Sequence, residues 1–166
     1  MTKLLLLLGM VSMGVGCTTM KYIHGVPNLV QVNPGIWRGG QPTDEGWRYL
    51  KQSLGVTNVV KLNVGEYRYA AAIGMKVTHI PISFWQMILG PSPAQISQAV
   101  ASITGGTYVH CYHGQDRTGL VIGEYRMKVD GWSQCQAYHE MLNKDFHRGV
   151  IGLWWFWNTG GHQTVN

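Results

Sequence analysis

Apolar positions along this chain recur with two different spacings, and the two alternate. Val56 to Leu62 is a short β-branched and apolar run, which predicts a buried strand. Val77 to Ile82 and Thr107 to His110 predict two more, and Gly35-Ile36-Trp37-Arg38 predicts a short one closed by Gly39-Gly40. Helical spacing fills the intervals. Thr43 is placed to cap a helix that runs to about Leu54, with Asp44 and Glu45 in the first turn and Gly55 ending it. Glu66 to Ile73 is weakly helical and stops at Gly74. In Ser92 to Ile103, Ile96, Val100 and Ile103 share one face behind Ser92-Pro93. Asp116 to Val129, Ser133 to Leu142 and an aromatic stretch from about His147 to Trp157 predict three further helices. Tyr22 to Gln31 reads as a linker, so residues 17–34 are expected to lead into a domain at 35–158, with a flexible tail at 159–166. Strands alternating with helices predict an α/β fold, one central and mostly parallel sheet flanked by helices.

Composition narrows the picture. The chain has 166 residues and is 45% hydrophobic, enough for one domain with a buried core and unlike a disordered chain. Thirteen Lys and Arg against eight Asp and Glu give a net charge of +5, which favours anionic partners. The basic residues are scattered and form no stripe, which argues against nucleic acid as a partner.

Residues 1–16 form a separate unit. A lysine at position 3 precedes an apolar run from Leu4 to Val15, too short for a bilayer span of about 20 residues and patterned as an export signal. Gly14-Val15-Gly16-Cys17 resembles the lipobox of bacterial lipoproteins, which implies cleavage and lipidation at Cys17, hence membrane attachment in the cell envelope. An ordinary cleaved signal leading to secretion, or an apolar helix on a cytoplasmic protein, are the alternatives. The remaining cysteines, Cys111 and Cys135, are too few for a disulfide framework. Cys135 is expected to be a buried apolar residue, or else a disulfide partner of Cys111.

The chemistry concentrates between the strand ending at His110 and the helix starting at Asp116. A loop there can turn successive N–H groups inward as a nest, and the next helix presents its positive end to the same point. Gly114 and Gly119 permit tight turns and close approach. Cys111 lies at the base of this loop, where backbone donors, the helix terminus and Arg117 all favour thiolate over thiol. The Arg117 fork matches two phosphate oxygens. Thr118 can donate to the sulfur, and His110 can order the loop by hydrogen bonding.

His110-Cys111-x-x-Gly114-x-x-Arg117-Thr118-Gly119 resembles the signature of the cysteine-dependent tyrosine and dual-specificity phosphatase superfamily. Trp37-Arg38-Gly39-Gly40-Gln41-Pro42 and Gly55 to Leu62 resemble the N-terminal half of its compact bacterial members, so the likeness runs from about Gly35 to Phe146. The resemblance implies hydrolysis of a phosphomonoester, on a phosphorylated protein or a small phosphoester, through a phosphocysteine intermediate, with no metal and no organic cofactor. It implies that Cys111 attacks phosphorus, that Arg117 and the amides of Tyr112, His113, Gly114 and Gln115 bind the phosphoryl oxygens, and that Thr118 assists breakdown of the intermediate. Two alternatives stand beside it: an inactive or weakly active domain that binds a phosphorylated ligand, and an inositol phosphate phosphatase.

One departure is plain. The family places its general acid, an Asp, on a loop upstream of the cysteine, here within Ser83 to Pro93. No Asp or Glu occurs anywhere from Tyr67 to Gln115. Asp116, His113 or a leaving group needing no proton are the replacements. Phe84-Trp85 in that loop fits either stacking on substrate or core filling, and Leu153 to Trp157 fits packing better than contact with a membrane or partner.

Overall fold

The structure, a computed structural model, describes residues 20–65 and 68–159. The expected export signal, Cys17 and most of the tail lie outside the described residues. Two short strands, β1 (Tyr22–Ile23) and β2 (Val26–Pro27), form an antiparallel ribbon. The chain continues through β3 (Val30–Asn33), β4 (Ile36–Gly39), α1 (Asp44–Gln52), β5 (Asn58–Lys61), α2 (Arg68–Ala72) and β6 (Lys76–His79). It ends with α3 (Phe84–Leu89), α4 (Pro93–Ala101), β7 (Thr107–His110), α5 (Asp116–Lys128), α6 (Gln134–Asn143) and α7 (Ile151–Asn158). The main sheet has the order β3-β4-β7-β5-β6, with only β3 antiparallel to its neighbour. This is the expected α/β architecture.

The sheet is covered on both faces, and side-chain alternation along its strands divides the core in two. Val60 and Val109 join Ile96, Leu120, Ile122, Met141, Leu153 and Trp157 beneath α4 to α7. Their chain neighbours Val59 and Tyr108 join Trp47, Leu50, Ala70 and Met75 beneath α1 and α2. β7 is central and buried at every position, which puts the segment after it at the middle of the sheet's C-terminal edge.

Three helix starts follow their expected caps, at Thr43, Ser92 and Ser133, whereas α1 ends at Ser53 before Gly55 and α7 begins at Ile151, four residues after the expected His147. Thr43 Oγ1 accepts from Gly46 N at 3.2 Å, and Ser133 closes a reciprocal box with Gln136. In α7, Leu153, Phe156 and Trp157 turn inward, while Ile151, Trp154 and Trp155 remain exposed. The aromatic run is therefore divided between core and surface.

Three expectations are corrected. The segment expected to be a linker folds: β3 pairs with β4, and Val26, Leu29 and Val32 are buried. Its apolar positions are too few and too interrupted by Gly, Asn and Pro to reveal strands without their partners. The segment after β6 is not an open loop but the helix α3, started by a Ser83–Gln86 capping box. Phe84 and Trp85 project from it, 65% and 68% exposed, so core filling is excluded. Cys135 is exposed and Cys111 buried, and both are free thiols, so neither the buried placement nor the disulfide holds.

Candidate active site

β7 delivers His110 and Cys111 to the centre of the C-terminal edge, and α5 begins five residues later at Asp116. The intervening loop is held from outside by its carbonyls. Gln41 N donates to Tyr112 O at 2.9 Å, Asn28 Nδ2 to His113 O at 2.9 Å, and Arg38 Nη2 to Gly114 O at 2.9 Å. Gly119 N donates to Gln115 O at 2.7 Å. A peptide's N–H and C=O point in opposite directions, so carbonyls drawn outward aim the matching amides inward. Gly114 N, donating to Cys111 Sγ at 3.3 Å, is the amide seen doing so. Gly114 has φ +80°, and a Cβ there would lie 2.2 Å from the Gly39 carbonyl carbon, so no other residue fits.

The expected site residues thus come together as one strand–loop–helix unit. Cys111 is 3% exposed, and Thr118 is fully buried at the start of α5. Thr118 Oγ1 and Arg117 Nε are buried donors with no hydrogen-bond partner among the described residues, at the point where the loop closes on α5. Gly119 lets Phe146 pack against the first turn of α5, with Phe146 Cδ2 3.3 Å from where a Cβ would be. Tyr112 and His113 form the rim, with their rings edge to face at 4.9 Å and Tyr112 62% exposed. Asp116 Oδ1 accepts from His147 N at 2.8 Å.

Three buried basic groups support the loop. Arg38 is 1% exposed, and burial draws its pKa down from 12.5 to about 10, still well above neutrality, so it remains a cation beneath the loop carbonyls. Lys61 pairs in register with His110 and donates to Asn63 O at 3.1 Å. Burial lowers its pKa, and the nearby Cys111 works in the opposite direction. His110 lies stacked on Tyr108 at 5.5 Å and edge-on to Trp47 at 5.3 Å. Burial pulls its pKa from 6.5 to about 3, so the ring is neutral. Its Nδ1 lies 3.2 Å from the Cys111 carbonyl, which can only accept, so the proton sits on Nδ1 and the ring fixes the backbone at the nucleophile.

That shift has a measurable consequence. The unfolded histidine takes up a proton near pH 6.5 and the folded one only near pH 3. The stability contributed by neutral His110 is complete above the first value and declines as pH falls towards the second. Going from about pH 7.5 to about pH 5 is expected to cost about 2 kcal/mol through this residue. Urea unfolding at both pH values checks it: His110→Gln should lose less stability on acidification than the parent, and an equal loss would refute it.

Asn28, Arg38, Lys61 and His147 were not among the expected site residues. A charged residue inside a strand bounded by glycines was a readable sign for Arg38. Asn28 and His147 carry none, because each reaches the site from a distant part of the chain.

Comparison with known proteins agrees with this geometry. A family model described as DSP-PTPase phosphatase fused to NAD+ kinase matches residues 28–150. The dual specificity protein phosphatase TpbA of Pseudomonas aeruginosa is 28% identical over 121 residues, covering 72% of this chain and 55% of the relative. The chain therefore spans about half the length of the curated relatives it matches. Among solved structures, the catalytic core of the PP-IP phosphatase SIW14 from S. cerevisiae superposes with a TM-score of 0.65 at 23% identity, covering 78% of this chain and 83% of that one. The TpbA crystal structure gives 0.62 at 22% identity, covering 80% and 84%. PTPMT1 in complex with PI(5)P gives 0.63 at 16% identity, covering 79% and 95%. These structures share the fold, and the family match includes every residue of the loop and its tethers; the chain belongs to the DSP-PTPase phosphatase family.

Proposed function

We propose that this protein is a cysteine-dependent phosphatase that hydrolyses phosphomonoesters through a phosphocysteine on Cys111. The observation that carries the reading is the loop after β7, whose carbonyls are tethered outward while Gly114 N turns to Cys111 Sγ. Cys111 is the nucleophile. Arg117 and the inward amides of Tyr112 to Arg117 bind the three non-bridging oxygens and stabilise their charge in the transition state. Thr118 Oγ1, buried without a partner among the described residues, donates to the sulfur as it leaves in the second step. His110 and Gly119 hold the loop.

The substrate class is a phosphorylated protein or a small phosphoester. TpbA is named a dual specificity protein phosphatase, and SIW14 a PP-IP phosphatase. The loop contains no lysine, which favours substrates with a single phosphate over polyphosphorylated inositols. We place the protein in the cell envelope, attached to a membrane through a lipidated Cys17. That placement rests on the lipobox-like Gly14 to Cys17 alone. Among the described residues, no helix is long and apolar enough to cross a membrane.

Phosphate release by the full chain under reducing conditions tests the activity. An aryl phosphate, phosphotyrosine and phosphoserine peptides and an inositol phosphate make up the panel. Release that vanadate blocks is the expected result. No release, with vanadate still raising the melting temperature, would make the domain a phosphate-binding module instead.

A further inference from the structure

The proposed reaction needs a proton for the leaving oxygen, and the usual carboxylate is missing. α3 occupies the corresponding segment and offers exposed Phe84, Trp85, Ile88 and Leu89, with Gln86 engaged in its cap. Asp116, inside the loop, is already committed. Its Oδ1 accepts from His147 N at 2.8 Å, and His147 Nδ1 lies 3.0 Å from Oδ1 and 3.2 Å from Oδ2. The Asp116 side chain is 14% exposed and that of His147 is 58% exposed. Between two such partners, Nδ1–H donates and the carboxylate accepts. That bond leaves Nε2, across the ring from Asp116, as the nitrogen open to exchange.

The turn that carries His147 is pinned on both sides. Phe146 is buried against Gly119 and donates its N–H to Met141 O at 3.1 Å, and His147 O accepts from Val150 N at 3.0 Å. An imidazole held by its backbone and by Nδ1, at the residue preceding Arg117, is a pre-organised group beside the phosphate cradle. The charged side chain in contact with the ring is that of Asp116, and the next residue, Arg148, turns its guanidinium over the Tyr138 ring at 5.8 Å.

We infer that His147 is the proton donor of this phosphatase and that Asp116 is its positioning residue; the inference rests on the phosphatase reading above. Cys111 thiolate attacks phosphorus, the bond from phosphorus to the leaving oxygen breaks, and that oxygen takes the proton from Nε2 of the His147 imidazolium. Phosphocysteine, free alcohol and neutral imidazole result. Water then attacks phosphorus and gives its proton to Nε2, and the phosphorus–sulfur bond breaks. Thiolate and imidazolium are restored and inorganic phosphate leaves.

Leaving-group dependence tests this in the full chain. Phosphotyrosine needs a proton on departure, whereas 2,4-dinitrophenyl phosphate does not. His147→Gln is expected to lower kcat/KM about 10²-fold or more on phosphotyrosine and to leave kcat/KM on dinitrophenyl phosphate nearly unchanged, because that ratio reports only the step in which the leaving oxygen departs. Asp116→Asn, the second variant, should show the same selectivity with a smaller loss. Equal losses on both substrates, or none on either, would overturn the inference while the phosphatase reading stands. A parent chain inactive on both substrates would overturn that reading, and this inference with it.

Discussion

Replacing Cys111 by serine is expected to cut phosphate release by about 10⁴-fold or more while leaving the fold and phosphate binding in place. The side chain is 3% exposed at the base of the loop, where serine is smaller and makes no clash. The hydroxyl can still accept from Gly114 N, so the loop keeps its shape. What disappears is the sulfur nucleophile: a serine hydroxyl needs a neighbouring base, and His110, whose pKa burial pulls down to about 3 and whose Nδ1 proton is committed to the Cys111 carbonyl, is not one. Steady-state phosphate release, beside the melting-temperature rise given by vanadate, separates chemistry from binding. A variant that keeps more than about a hundredth of the parent rate would place the reaction on another group.

The second large effect concerns Arg117. Arg117→Lys keeps the charge and loses the fork, and kcat/KM is expected to fall about 10²–10⁴-fold. Arg117 Nε is buried without a partner among the described residues, so the guanidinium has donor capacity open to a ligand. A lysine offers one point of charge where a planar group offers two parallel donors to two phosphoryl oxygens. Their fit is best when the phosphoryl group is planar, as it is midway through transfer, so the loss should appear in kcat more than in KM. A change confined to KM would mean that Arg117 serves only ground-state binding.

Much of this was legible beforehand, for physical reasons. β7 and α5 appear with nearly their observed bounds because a buried parallel strand and a helix started by an acidic residue each leave a local pattern. The nucleophile, Arg117 and the glycines stand at fixed spacing because one loop of one length must surround one phosphate. β1 to β3 were not legible, since strands of two to four residues bury too little to mark themselves. α3 had its capping signature in Ser83-Phe84-Trp85-Gln86, but its exposed aromatic residues gave it no inward face to detect. The Asp116–His147 pair spans 31 positions, and no periodicity joins residues from two different helix ends.

The outward tethers of the loop also set a timetable. Asn28 lies 85 positions before its partner His113, and Arg38 lies 76 before Gly114. Ribosomes add about 5–20 residues each second, so Asn28 waits roughly 4–17 s for the segment that it will hold. Throughout that interval no cradle for phosphate exists, and no activated thiol stands ready beside one. A chain released before His113 has the tethers and nothing for them to hold. The protein is therefore born inert and becomes reactive only when its first and last thirds have met.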